Sequence, residues 1–433
     1  MLVLLLSIAV AAFALPACGD DATSTSTGGD TATFRTLHVP KDYPTIQKAV
    51  DASKPGDLIL IAPGTYRPAT GDTAIASVET DDIVIRGENR NTVILDGEYN
   101  AENGIKVFSN GVAVENLTVR NNTGNGVFFT GDYGKGVLLK GYRASYVTAS
   151  NNGLYGVYAF SAEDGQIDHS YGSGHPDSAF YVGQCEKCNA LLTDDVAELN
   201  MLGYSGTNST GVTIVNSTFR NNRSGIVPNS LYSEAFYPNK GTTIIGNTVV
   251  DNNSAAAPDN KSFSIAYGTG IVLGGVSNVL VERNLVTGHV NAGVVVTDEP
   301  PSTDPSDKKD KTFKPENNTV RNNDLSGNTI DLAYLTVEFA SKPFGNCYEK
   351  NQFTTSFPEG IETSMACGAP DSDLGDLSGI LAKLSPAPPD VDYKKVTSPG
   401  DQPNMAKATT AKPVPARGPA KIDLDAITTP KAG

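Results

Sequence analysis

The residues able to do chemistry crowd into one stretch, Gln166-Ile-Asp-His-Ser-Tyr-Gly-Ser-Gly-His-Pro-Asp-Ser-Ala-Phe-Tyr-Val-Gly-Gln-Cys-Glu-Lys-Cys188. Two of only four histidines, His169 and His175, fall in it beside Asp168 and Asp177. A His–Asp pair can take a proton from a sugar carbon or deliver one to a glycosidic oxygen. Asp177 and His175 are therefore the candidate catalytic pair. A second carboxylate, in the manner of glycosidases, would come from Asp194 or Asp195. The tyrosines concentrate between positions 142 and 237. Their rings can stack on the apolar faces of sugars while the hydroxyl makes a hydrogen bond. Tyr181 and Tyr204 are expected to bind substrate in this way, with Gln184 and Asn208 as polar contacts. Arg223 offers a planar fork for a sugar carboxylate. Asp164, Asp168, Asp177, Asp194 and Asp195 are raw material for calcium without a recognisable spacing, so neither calcium nor any other metal or cofactor is predicted.

These residues need a scaffold, and the spacing of small residues supplies one. A small residue followed by an apolar or aromatic one recurs at Gly104, Gly126, Gly156, Ser178, Gly203, Gly225, Gly270 and Gly293, at intervals of 22, 30, 22, 25, 22, 45 and 23. The interval of 30 reads as one unit with a loop and that of 45 as about two units. Asn pairs precede several of these sites, and short alternating strands such as Val112–Val119 and Val212–Phe219 lie between them. A unit this short cannot bury its own apolar face but can do so stacked on its neighbours. The expected fold is all-β: a single-stranded right-handed parallel β-helix of roughly a dozen coils, with Asn at a turn tolerating left-handed backbone and bonding to the Asn of the next coil. At about 4.8 Å per coil the rod would be roughly 55–60 Å long.

Register gives His175 a second reading. It stands three before Ser178, where Asn200 and Asn222 stand before Gly203 and Gly225, so it can replace a turn asparagine. Asp177 directly precedes Ser178; its counterparts are Asn125, Tyr155, Leu202 and Ser224, and folding requires no charge there.

A parallel solenoid exposes raw edges at its ends. Ile46, Ala49 and Val50, behind Thr45 as N-cap, have the spacing of a short amphipathic helix that would close the first coil. Leu377, Ile380, Leu381 and Leu384 repeat the spacing near the other end. Asp298–Pro315 is a charged, Pro-rich loop that breaks the repeat, and 385–433 reads as a disordered Pro/Ala/Lys-rich tail. The divisions are thus signal peptide 1–17, tether 18–33, N-terminal cap 34–55, β-helix 56–352, C-terminal cap 353–384 and tail 385–433.

Leu2–Ala14 is an apolar run of about thirteen residues, short of the ~20 that span a bilayer and suited to a signal-peptide core. It ends in Leu15-Pro16-Ala17-Cys18, which resembles a bacterial lipobox whose Cys18 becomes lipidated, although no Lys or Arg precedes the run. The alternative is an ordinary cleaved signal. The expected address is the outer face of a bacterial membrane, held by lipid. Four cysteines remain, Cys185, Cys188, Cys347 and Cys367. In an exported chain they favour disulfides; of three pairings the local one, Cys185–Cys188 with Cys347–Cys367, is preferred, a four-thiolate metal site being the alternative. The formal net charge of −15 argues against a nucleic-acid partner. A monomer is expected.

Asp42-Tyr-Pro-Thr-Ile-Gln47, Ala49-Val50, Gly56-Asp57 and Pro63-Gly64-Thr65-Tyr66, followed by coils of 22 residues, resemble the right-handed parallel β-helix proteins of the pectin-lyase-like superfamily over residues 34–350 or so. That resemblance implies the fold and, for most members, action on polysaccharides as lyases, hydrolases, esterases, epimerases or non-catalytic surface proteins. The entry segment also resembles pectinesterases, but their paired Asp with Arg and Gln is not found here. Two function classes follow: a surface-anchored carbohydrate-active enzyme on an anionic or neutral polysaccharide, or a non-catalytic lipoprotein that binds envelope glycan. A third, an accessory to metal-centre maturation, has only the fold behind it. Acidity disfavours a strongly anionic substrate unless Arg143, Lys187, Arg220 and Arg223 gather locally.

Overall fold

The computed structural model describes residues 34–261, 266–299, 312–336 and 342–431. Short strands stack into three parallel sheets of twelve, nine and eleven strands, here called A, B and C in the order each turn visits them. One turn runs through Val84–Gly87 in A, Val93–Asp96 in B and Asn103–Val107 in C. The chain is a right-handed parallel β-helix. Its interior is one apolar column built mainly of Val, Ile, Leu and Phe, among them Ile85, Leu95, Ile105, Val114, Phe129 and Phe219.

Side-chain ladders hold the corners. Between B and C, Asn122 Nδ2 donates to Asn152 Oδ1 at 2.8 Å, and the file continues through Asn200, Asn222, Asn252 and Asn328. A second file, between A and B, runs through Ser217, Asn247, Asn284, Asn323 and Asn351. Just before the first file, Asn121, Asn151 and Asn221 have φ of +59°, +51° and +53°, the left-handed backbone that asparagine tolerates.

The recurrent glycine has a steric cause. A Cβ on Gly126 would sit 2.5 Å from Gly156 O, and one on Gly203 2.6 Å from Phe219 Cδ1. The corner is too narrow for a side chain. At one coil the phase differs from expectation: Val157 pairs with Phe180, which puts Ala179, not Ser178, opposite Gly156. The room for the Ala179 methyl comes from Gly172 on sheet B, where an added Cβ would lie 2.6 Å from Ala179 Cβ. Glycine and alanine have exchanged places across the corner. The interval of 45 is also one coil rather than two. Ser224 pairs directly with Thr269 and Ile226 with Ile271, and the described surplus residues lie in two excursions, about 230–240 and 253–261 with 266–268.

The helix Ile46–Ala52 closes the first coil as expected, with Thr45 Oγ1 accepting from Lys48 N and Ile46, Ala49 and Val50 buried. Gln47 completes the closure: its Oε1 accepts from Ser77 N at 2.7 Å and its Nε2 donates to Ser77 O at 3.1 Å, as a neighbouring strand would. At the other end a helical turn, Ile361–Ser364, brings Glu362 Oε1 to Asn351 N and Nδ2. Leu377 and Ile380 join the core, although Ser378–Lys383 is a 3₁₀ segment and not an amphipathic α-helix. The Cys185–Cys188 and Cys347–Cys367 disulfides both form. Glu299 and Phe313 exchange backbone hydrogen bonds at the base of the Pro-rich loop, whose residues 300–311 lie outside the described residues, as do the signal segment, Cys18 and the tether.

The segment expected to be disordered is instead laid against the coils. Asn291 pairs with Ser385, Arg223 donates to Pro388 O and Pro389 O, Asn151 to Tyr393 O and Val396 O, and Arg90 to Pro403 O. The chain then turns. Arg86 donates to Ala408 O, Ala411 O and Lys412 O, Gln166 accepts from Ala420 N, and Arg283 donates to Leu424 O and Asp425 O. Composition missed this because the anchors are buried guanidinium groups that need carbonyls, and any sequence can supply carbonyls. Ile422, Leu424 and Ile427 add an apolar seat on Leu191, Val215 and Ile245.

Candidate functional site

His175 is a ladder residue. Its Nε2 faces Asn152 Nδ2 at 3.2 Å and its Nδ1 faces Asn200 Oδ1 at 2.7 Å, with the side chain fully buried. Burial pushes its pKa down to about 4, against the Asn200 hydrogen bond, so it is neutral and both nitrogens are used. His289 repeats the arrangement between Asn252 and Asn328. The expected His–Asp pair is not formed.

Asp177 lies at the entry to the sheet C strand Ser178–Gly183, where its N donates to Leu154 O and its O accepts from Leu202 N. The shifted phase moves its counterparts to Leu154, Met201 and Arg223. It is nearly buried, Asn260 Nδ2 donates to its Oδ2 at 3.0 Å, and Tyr155 and Ser178 also hydrogen-bond to it. Burial outweighs these donors and raises its pKa to about 6.

The carboxyl that feels the Asp177 charge was not legible. Glu234 comes from the first excursion of the long coil and Asn260 from the second. Tyr181 Oη donates to Glu234 Oε2 at 3.0 Å. Burial, with the Asp177 charge adding to it, lifts Glu234 to about 7 against that hydrogen bond. Gln184 and Asn208 build this site from behind. Gln184 Oε1 accepts from Ala235 N at 3.0 Å, and Asn208 bonds Leu231 N, Leu231 O and Glu234 O at 3.0, 2.6 and 2.9 Å. Both are buried and hold the excursion over Tyr181; they are positioning residues.

Sheet C carries an aromatic file on its outward face. Lys106, Phe128, Tyr158, Tyr181 and Ser205 occupy successive coils in strict register. Phe128 stacks on Tyr158 with centroids 4.7 Å apart, and Tyr155 on Tyr158 at 4.2 Å. Tyr181 turns its ring by 62° against Tyr158 at 4.9 Å. Phe160 and Tyr133 extend the patch, Tyr133 from the loop that lengthens the 30-residue coil. Tyr133 is 60 % exposed, and Phe128, Tyr155, Tyr158 and Phe160 are half-buried.

Other expectations fall elsewhere. Tyr204 points inward and belongs to the core, because strand alternation puts it on the opposite face from Ser205. Arg223 is buried beneath the tail, donating to Ala257 O, Pro388 O and Pro389 O and paired with Asp259. Asp195 accepts from Ser170 N in the A–B corner, so it does not face sheet C. Arg143 pairs with Asp168 and Arg220 with Glu198, and the arginines do not gather on one face. Among the described residues no group of three or more His, Cys, Asp or Glu is placed to hold a metal ion.

Residues 103–298 match the family described as the right handed beta helix region. Among solved structures, the chain is similar to the A-module of the Azotobacter vinelandii mannuronan C-5 epimerase AlgE4, at 14% identity and TM-score 0.50, covering 72% of this chain and 91% of that one. A mannuronic acid specific polysaccharide family 6 lyase from human gut microbiota aligns at 16% identity and TM-score 0.45, over 75% and 83% of the two chains. Pectate lyase Pel9A aligns at 14% and 0.45, over 89% and 96%. At 14% identity the likeness to the epimerase module speaks for the fold alone. No curated protein sequence matches the chain.

Proposed function

We propose that this chain binds polysaccharide along the outward face of sheet C and is held at the outer face of a bacterial membrane through lipid on Cys18. The observation that carries the reading is the in-register pair Phe128 and Tyr158, broadened by Tyr155, Phe160 and Tyr133, while Tyr181, next in the file, is covered by the excursion. Rings repeated at the strand spacing of about 4.8 Å give an extended polymer several contacts in a row. The epimerase and lyases that share the fold act on such polymers by their descriptions, which supports the reading without deciding the reaction. A glycan array with the full chain tests it. Bound glycans should be lost with Phe128→Ala/Tyr158→Ala, and an array without binders rejects it. Metabolic labelling with a fatty acid should mark the wild type and not Cys18→Ala.

A catalytic version is favoured by one observation: Asp177 and Glu234 are both held near neutrality, at about 6 and about 7, where a carboxyl can act as acid or base at working pH. Glu234 would give or take the proton and Asp177 would be its charged counterpart. New reducing ends or unsaturated products formed by wild type and lost in Glu234→Gln would support this version; binding without product would leave a non-catalytic module.

A further inference from the structure

The C-terminal segment does not lie flush on the coils along its whole course. Between it and the outward face of sheet B opens a cleft of about 180 Å³, floored in part by Ile94, Arg120, Thr148 and Ser150 and roofed by 398–401. One water needs only about 10–15 Å³. The roof spans two fixed points: Asn151 holds Tyr393 O and Val396 O before it, and Asn91 and Arg90 hold Gln402 and Pro403 O after it.

The floor is polar and under-used. Strand alternation turns Thr148 and Ser150 outward. Ser150 is 1 % exposed, yet its hydroxyl has no hydrogen-bond partner among the described residues, where a buried hydroxyl ordinarily has one. Thr148 Oγ1 accepts from Arg90 Nε at 2.7 Å, which leaves its own hydrogen to give. Arg120 spends Nε on Asp96 Oδ2 at 2.9 Å, and its terminal amino groups make no hydrogen bond among the described residues. Asp401 brings an acceptor to the roof, and Ile94 below and Pro399 above bring apolar surface. One guanidinium set against Asp96 and Asp401 leaves no surplus positive charge for an anion. Donors, an acceptor and two apolar walls suit a ring that carries hydroxyls on its edge and C–H groups on its faces. We propose that the cleft seats one neutral pyranose, a free sugar or the end residue of a glycan, with Ser150, Thr148 and Arg120 donating and Asp401 accepting. The site lies on a different face from the aromatic file and does not rest on glycan binding there.

Calorimetric titration of the full chain with D-glucose, D-galactose and D-mannose tests this, with D-glucuronate and inorganic phosphate as anionic comparisons. At least one neutral sugar should bind and should slow amide hydrogen exchange in 398–403. Ser150→Val fills the floor and removes the hydroxyl; it should lower that affinity about tenfold or more, and Asp401→Asn about fivefold. Ser150→Ala should weaken the sugar and leave the urea midpoint of the free protein where it is, because no bond is lost there. A lowered midpoint would mean that the hydroxyl already serves the fold, and would overturn the proposal. A trisaccharide of the preferred sugar that binds as well as the monosaccharide supports a chain end, and one that is rejected supports a free sugar. No binding of the neutral sugars, or tighter binding of glucuronate or phosphate, would overturn the proposal. So would binding that survives Ser150→Val, which would place the sugar elsewhere and leave the sheet C reading in place.

Discussion

A histidine and an aspartate two residues apart on the chain serve opposite ends here, because alternation and turn geometry send them to different surroundings. His175 and His289 are buried neutral, with His175 at about 4. The unfolded chain binds a proton near the ordinary value, so stability should fall as pH drops from about 6.5 toward 4, by about 3 kcal/mol per histidine at the low end. His175→Asn restores a ladder amide, and its urea unfolding should flatten over that window; an unchanged pH profile would remove His175 from the ladder account. Asp177 and Glu234 have the reverse sign. Their folded pKa values are raised, so the favourable neutral form is complete near pH 4 and its contribution fades as pH rises through about 6 and 7. Glu234→Gln should therefore stabilise the protein more at pH 8 than at pH 5, by about 1–3 kcal/mol. Thermal scans at the two pH values check this. Asp177 could be singled out from the sequence because no turn needs a charge there. Glu234 could not, since nothing local marks an excursion that folds back over coils crossed some fifty residues earlier.

At the level of strands and turns, the repeat was readable wherever sterics repeat. Glycine at the B–C corner, asparagine at the turn and alternating strands each answer to one contact. The phase slipped at Ala179 because that contact was satisfied from the far side, by Gly172. Gly172→Ala alone should cost about 2 kcal/mol or more through overpacking. Adding Ala179→Gly should recover most of it in a double-mutant cycle, and purely additive losses would contradict the exchange. Asn208 poses the matching test for the excursion. Asn208→Ala leaves Leu231 and Glu234 backbone groups unpartnered, at about 1–3 kcal/mol, and should raise hydrogen exchange in 231–235 together with a fall in glycan affinity.

Over the whole molecule, a solenoid's coils touch only their neighbours, and its stability is close to a sum of local terms. The C-terminal segment changes that by reaching Asn291, Arg223, Asn151, Arg90, Arg86 and Arg283 in turn. A chain ending at Leu384 would take carbonyl partners from four guanidinium groups, Arg86, Arg90, Arg223 and Arg283, and bare the Leu191, Val215 and Ile245 seat. It should lose several kcal/mol and unfold in more than one calorimetric step, whereas the full chain should unfold in one. Matching single transitions would refute the stapling. Composition hid this strap because Pro, Ala and Lys announce nothing about the backbone oxygens they carry. Gln47 has an equally quiet effect at the opposite extremity. Its amide satisfies both hydrogen-bonding groups of Ser77, so a second copy meets a stopper where it would otherwise find a template. The rod is thereby denied that route to growing end-on into a filament.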